Sequence, residues 1–327
     1  MDHAVHRKVH RNKPPDSSGY GRTATGHTGP FRQGPFLMAR TKKLRLLTLF
    51  GTALASCALL ATGLAPASAA VSPPATHHGP PVINYVNLGD SYSAGFGTGT
   101  IVAGPLPGCY QTNGTSQVTL VAAQAHINLL IDAACAGAKT TDVATAATAV
   151  APYLAQADLV TLTLGGNDLG WSTVVGACST QGTAKLCDQA ILATLLTLPK
   201  AAKSANKTLR IIDAATPGTI LLQGYPRLFS PEFGNNPLIT AKRAKQLNNL
   251  ADLLNLSLAA ATHGTSAQFV SVSSRFQGHG IGSPTSWLYL NPANPTDSFN
   301  LHPTATGYLL GYYPALKSRI NALHLVY

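Results

Sequence analysis

Four short, nearly unbroken apolar runs in this chain end abruptly in turns built of glycine and polar residues. Residues 82–88 (VINYVNL) run into Gly89, Asp90 and Ser91, and residues 127–133 are followed by Cys135, Ala136 and Gly137. Residues 157–164 (ADLVTLTL) stop at Gly165, Gly166, Asn167 and Asp168, and residues 219–223 lead into Gly224, Tyr225, Pro226 and Arg227. A fifth, shorter run covers 268–272. Between these strand-like runs lie segments with helical spacing: the Ala-rich 116–126, then 142–154, 188–215 (broken at Pro217-Gly218), 236–263 and 304–325. Strands alternating with helices imply an α/β domain whose parallel sheet is covered on both faces. In such a sheet, ligands meet the carboxyl ends of the strands, where the polar turns fall.

The N-terminal part reads differently. From Met38 the chain has a basic stretch (Arg40, Lys42, Lys43, Arg45), an apolar run to about Leu64 and small residues at Ala67-Ser68-Ala69. This pattern predicts a secretory signal peptide over 38–69, cleaved after Ala69 or Ala70. A membrane anchor is the competing reading, disfavoured by the Thr, Gly and Ser in the run and by the cleavage site. Cys57 in Leu54-Ala55-Ser56-Cys57 also resembles a lipoprotein box, although the apolar run continues past it. Residues 1–37 are rich in His, Arg, Gly and Pro and are expected to be a non-native upstream extension, with Met38 as the start. Residues 70–81 form a Pro-rich linker, and 82–327 the folded domain.

Charge follows the same division. The chain has 23 Lys and Arg against 12 acids, a formal +11. Ten of those cations and two Asp lie in residues 1–70, leaving thirteen against ten in the body. The body is nearly balanced and has no basic stripe interleaved with aromatics, so nucleic acid is excluded as a partner. Glu232 is the body's single glutamate, which leaves little for paired-carboxylate or multi-Asp metal chemistry. The body's cysteines, Cys109, Cys135, Cys178 and Cys187, are even in number, and in an exported chain they read as two disulfides. Three connectivities are possible. The sequential pairs 109–135 and 178–187 close the shortest loops and are favoured; no C-x-x-C or nearby His pair supports zinc.

Chemistry concentrates at the strand ends. Ser91 directly follows the first strand, where its hydroxyl sits at the sheet edge and its N–H near a possible helix start. A serine alcohol needs a base at neutral pH, and His302, in DSFNLHPTATGY, has a suitable pKa. Each piece alone is a common turn or a loop histidine. Their order is more specific: Gly89-Asp90-Ser91, Gly137, Gly165-Gly166-Asn167-Asp168, then His302-Pro303. This order, with YVNLGDSYSAG, ACAGAKTTDV, VTLTLGGNDLG, GYPRLF and FQGHGIGS, resembles the SGNH hydrolases, also called GDSL lipases/esterases, over about residues 82–325. The secreted actinomycete branch is the most similar.

The resemblance implies a flavodoxin-like three-layer α/β/α sandwich with a central parallel sheet, and ester hydrolysis through an acyl-enzyme. It implies Ser91 as nucleophile, the Ser91 and Gly137 N–H groups and the Asn167 amide as oxyanion hole, and His302 as base and then acid. The favoured disulfides match that branch's layout. One departure concerns the third catalytic member: many relatives carry Asp three residues before the His, where this chain has Phe299. Asp297, five residues upstream, is one candidate; the favoured one is a backbone carbonyl around Phe299–Asn300, which would make the site a Ser–His dyad. His279 is a rival base, read as a wall or structural residue. Asp90 and Asp168 are expected to hold loops, and Trp171, Trp287, Tyr92, Phe96 and Tyr110 are candidates for lining an acyl pocket.

The expected protein is thus an extracellular monomeric lipase or esterase that needs no metal or cofactor. Its substrate would be a small-molecule or lipid ester, with transient contact to a lipid surface. Phospholipase, acyltransferase or carbohydrate deacetylase activity at the same site is the alternative within enzymes. A binding lipoprotein anchored through Cys57 is the alternative outside them.

Overall fold

The computed structural model describes residues 81–325. The expected upstream extension, the expected signal peptide with Cys57 and all but the last residue of the expected linker lie outside the described residues. The first strand, β1 (Ile83–Gly89), is followed by a hairpin of β2 (Ile101–Ala103) and β3 (Tyr110–Thr112). Then come α1 (Gln117–Ala122), β4 (Ile127–Asp132), α2 (Thr140–Ala149), α3 (Ala151–Leu154) and β5 (Leu159–Thr163). The chain continues through α4 (Trp171–Cys178), α5 (Ala184–Ala215), β6 (Thr219–Gln223), α6 (Ala241–Ala261) and β7 (Gln268–Val270), and closes with α7 (Tyr313–Ala322).

The main sheet has the order β4-β1-β5-β6-β7, and every neighbouring pair is parallel. The chain steps from β1 outward to β4, then crosses back over β1 to β5 and continues outward in the other direction. Parallel crossovers are right-handed, so this reversal puts their helices on opposite faces. α1 packs beside α7 on one face, and α2, α5 and α6 lie side by side on the other. This is the flavodoxin-like three-layer sandwich, and its topological switch point lies between β1 and β5. β5 is buried along its whole length, as a strand covered on both faces should be.

Element boundaries depart from the sequence expectation where polar side chains or prolines intervene. Pairing of Ile83 with Ile127 draws His126 into the sheet edge, where its carbonyl accepts from the Ile83 N–H at 2.7 Å, and α1 therefore stops at Ala122. The 142–154 helix is divided at Val150: Pro152 has no N–H to offer the carbonyl four residues back. Residues 236–240 are not helical. The Asn236 Oδ1 accepts from the N–H groups of Leu238 and Ile239, a local turn that competes with helix, and Thr240 caps α6 instead. α5 starts at Ala184, capped by Thr183, and runs 32 residues through Pro199. Near the C-terminus the helix opens with a π-helical stretch (Gly307–Tyr312) just before Pro314, whose missing N–H disturbs the regular ladder. The β2–β3 hairpin and α4 were not foreseen.

Candidate active site

The switch-point crevice is built first from the end of β1. Gly89 has φ +120°, and a Cβ there would stand 2.4 Å from the Thr163 carbonyl oxygen, so only glycine lets β1 pass β5 so closely. Asp90 follows and is 1% exposed. Its carboxylate accepts from the Thr163 hydroxyl at 2.6 Å, the Tyr92 N–H at 3.0 Å and the Tyr225 hydroxyl. Burial pushes the Asp90 carboxyl and the Tyr225 phenol above their usual pKa ranges. The Ser93 hydroxyl binds the next turn to β5 through the Thr163 N–H at 2.9 Å. Ser91 stands between these two anchored residues, and its Oγ lies 2.7 Å from His302 Nε2.

His302 arrives on a loop. Its ring centroid is 5.2 Å from that of Tyr92 and 5.6 Å from that of Phe96. The Tyr289 N–H donates to its carbonyl at 2.8 Å, and the Tyr92 hydroxyl donates to the Leu301 carbonyl at 2.6 Å. Leu301 has φ +70°, a strained conformation for a non-glycine residue that these bonds hold in place. Gly97, at φ +96°, lets the loop pass: a Cβ there would meet the Pro303 carbonyl at 2.2 Å. Burial lowers the imidazole pKa to about 4. The carbonyls of Phe299 and Asn300 face the ring and favour its cation, but neither meets Nδ1 in hydrogen-bonding geometry, and that buried nitrogen has no partner among the described residues.

Gly137 and Asn167 complete the group. Gly137 has φ +78°, and none of the described residues lies within 4 Å of where its Cβ would be. Its glycine is required by the backbone conformation rather than by a close protein neighbour. The Asn167 amide donates one hydrogen to the Ala138 carbonyl at 3.0 Å, which orients the group and leaves its second hydrogen available. Among the described residues no acceptor takes the N–H of Ser91 or Gly137. All four residues line one cavity of about 360 Å³, whose other walls are largely apolar, among them Trp171, Leu228, Ala251 and Leu254. A disulfide between Cys109 and Cys135 staples the hairpin to the Gly137 loop, and a second joins Cys178 and Cys187 across the α4–α5 corner.

The remaining candidates separate clearly. Asp297 accepts from the Phe299 N–H at 2.9 Å, the Tyr289 hydroxyl at 3.1 Å and the Asn291 amide at 3.2 Å, and makes no bond to His302. The Phe299 N–H and the other donors hold its carboxyl below the usual range. His279 is stacked on Trp287 with centroids 3.8 Å apart and lies outside the cavity. Tyr92, Phe96 and Trp171 do line the cavity, whereas Trp287 does not and Tyr110 is 57% exposed on the hairpin. Asp168 ties the Asn167 loop to α2 by accepting from the N–H and hydroxyl of Thr140 at 2.9 and 2.6 Å. Tyr225, Thr163 and Tyr308 escaped the sequence reading. Tyr225 also accepts from the Gly166 N–H, and the Tyr308 hydroxyl donates to the Tyr92 and Phe96 carbonyls. For Tyr225 the signal was present, since it follows β6 at a strand end. No three His, Cys, Asp or Glu side chains of the described residues come together as metal ligands would.

Residues 88–310 match the GDSL-like lipase/acylhydrolase family. A lipase of Streptomyces rimosus is 32% identical over 81% of this chain and 97% of its own length. Lipase 1 of Streptomyces coelicolor is 32% identical over 84% of this chain and 98% of its own. Among solved structures, the extracellular lipase of Streptomyces rimosus superposes with a TM-score of 0.63 at 27% identity, covering 72% of this chain and 99% of that one. A phospholipase A1 from Streptomyces albidoflavus NA297 superposes with a TM-score of 0.65 at 28% identity and the same coverage. Matched across most of its length in sequence and in fold, the chain belongs to the GDSL-like lipase/acylhydrolase family and is an ester hydrolase.

Proposed function

We propose that the chain is an exported carboxylic-ester hydrolase that works through an acyl-enzyme on Ser91. The observation that carries this reading is the 2.7 Å contact between Ser91 Oγ and His302 Nε2, inside a cavity where three donors have no competing acceptor among the described residues. As Ser91 Oγ bonds to the ester carbonyl carbon, His302 Nε2 takes the hydroxyl proton. The N–H groups of Ser91 and Gly137 and the free amide hydrogen of Asn167 receive the negative charge that develops on the carbonyl oxygen. The carbon–oxygen bond to the alcohol then breaks, and His302 passes its proton to the departing oxygen. Water repeats the sequence in reverse roles and frees the acid. The His302 pKa near 4 keeps the imidazole neutral, as a base must be, across the neutral range.

Export is supported by two disulfides, which persist in oxidising compartments, and by the likeness to a lipase described as extracellular. No helix among the described residues is long and apolar enough to cross a membrane. A phospholipid is the second substrate reading, favoured by the likeness to a phospholipase A1. A fluorophosphonate probe tests the nucleophile. Peptide mapping is expected to find the adduct on Ser91, with none in Ser91→Ala; an adduct on another serine would overturn the assignment.

A further inference from the structure

A second chamber, of about 600 Å³, adjoins the Ser91 cavity, and the two share Ser172, Ser298, Asn300, Leu301 and His302 as common wall. Ser91, Gly137 and Asn167 face only the first. Resting on the acyl-enzyme reading above, we propose that this outer chamber receives the alcohol half of the ester, and that it selects a bulky uncharged polyol over a phosphate-bearing alcohol.

The acyl carbonyl must lie at Ser91, with its oxygen toward Gly137 and Asn167. The departing alkoxide takes its proton from His302, so the alcohol must leave past His302. That residue is the one member of the group that borders both chambers. The walls are compatible with that assignment. Both walls are mainly apolar, but the aromatic side chains, Tyr92, Phe96, Trp171 and Tyr225, all belong to the inner cavity, where they suit a hydrocarbon chain. The outer chamber has no Phe, Tyr or Trp on its wall, and Val175, Leu238 and Leu290 there stand among Ser, Thr, Asn and Gln side chains. Among the described residues nothing hydrogen-bonds to the side chains of Ser172, Gln181 and Ser298, so their donors and acceptors are open to ligand hydroxyls. None of the described residues lining either chamber is Lys or Arg, and the outer chamber's carboxylate is Asp297, held ionised. A phosphate entering there would meet like charge with no cation to pair it, whereas glycerol or a sugar would meet hydrogen-bonding groups of both kinds. A volume of this size accommodates far more than a methyl or ethyl group.

Four octanoyl esters with a constant acyl half test the proposal: methyl octanoate, 1-octanoylglycerol, 6-O-octanoyl-glucose and 1-octanoyl-glycerol-3-phosphate. At least one of the two polyol esters should exceed both the methyl and the phosphate ester at least tenfold in kcat/KM, and which one does so separates a glycerol from a sugar source. Thr296→Trp or Gln181→Trp, exposed positions on the chamber wall, should lower the polyol-to-methyl ratio about tenfold. Asp297→Lys should raise the phosphate-to-polyol ratio by a similar factor. Equal rates across the series, or a preference for the phosphate ester, would overturn the proposal. So would a tryptophan variant that changes acyl-length preference among methyl esters instead, since the chamber would then hold the acyl half. A Ser91→Ala protein that still hydrolyses methyl octanoate would overturn the nucleophile reading, whatever the alcohol series shows.

Discussion

Ser91 and His302 meet at 2.7 Å, but the chain holds them by opposite means. Ser91 sits on the turn after a central strand, flanked by Asp90 and Ser93, whose side chains are bonded to β5 in the dry interior. His302 belongs to residues 271–304, which form no strand or helix beyond isolated bridges. Its backbone is held by the Tyr289 N–H and, through Leu301, by the Tyr92 hydroxyl, and its ring lies against Tyr92 and Phe96. Three of the residues that shape the base's seat, Tyr92, Phe96 and Gly97, come from the turn that carries the nucleophile. Packing of the sheet positions one partner, and the other is docked onto it. A site divided this way should respond differently to damage at each end.

The largest effect should fall on both ends at once. Ser91→Ala and His302→Ala should each lower kcat about 10⁴-fold without a change in melting temperature, and the double variant should lose little more, because nucleophile and base act as a unit. Additive losses would mean the two do not cooperate. Asp90→Ala should separate the ends through stability. It leaves the Tyr225 and Thr163 hydroxyls and the Tyr92 N–H without their buried acceptor, a loss of about 2–4 kcal/mol in denaturant unfolding. A loss below about 1 kcal/mol would show that the turn is not anchored through that carboxylate.

The base end should declare itself through pH. Burial disfavours the imidazolium, so the neutral, active form should persist down to about pH 4. The acid limb of kcat/KM is expected there rather than near 6.5, which makes activity at pH 5 about thirtyfold higher than an unshifted histidine would allow. The same shift weakens folding as pH falls from about 6.5 toward 4, because the unfolded chain takes up a proton that the native imidazole refuses. A limb near 6.5 would show that the loop leaves the ring open to water. Asp297→Asn should have the smallest effect, a fall in kcat of less than tenfold, since its carboxylate bonds within its own loop and not to His302. A thousandfold fall with unchanged stability would make it the third member of a triad.

The strands were legible in the sequence because a sheet covered on both faces needs unbroken apolar runs, and each run ends in residues unsuited to continuing it. Ser91 could be picked out for the same reason, since it directly follows a strand end; Gly137 and Asn167 also follow strand ends, but they were singled out through the resemblance that the ordered motifs carry. His302 was legible only through its place in the ordered set, because no periodicity marks a loop. The hairpin was hidden in a glycine- and proline-rich stretch, and α4 is only eight residues long, beginning directly after the left-handed Gly170. Helix ends were misjudged where Asn236, Pro152 and Pro314 redirect backbone hydrogen bonds locally.

Apolar runs and strand-end turns are local properties, so the sequence by itself determined a parallel sheet covered on both faces, while the ordered set of motifs, through the resemblance it carries, pointed to the family and to the residues of the crevice. Three matters were left to the tertiary structure. Asp297 turned away from His302 because nearer donors on its own loop claimed its carboxylate. Gly137 proved to be a demand of backbone conformation, since no neighbour crowds it. The crevice divided into an aromatic-walled chamber and one without aromatic walls, with His302 bordering both. Each depends on which distant segments meet, and that is set by the packing of the whole chain, which no single stretch of residues encodes.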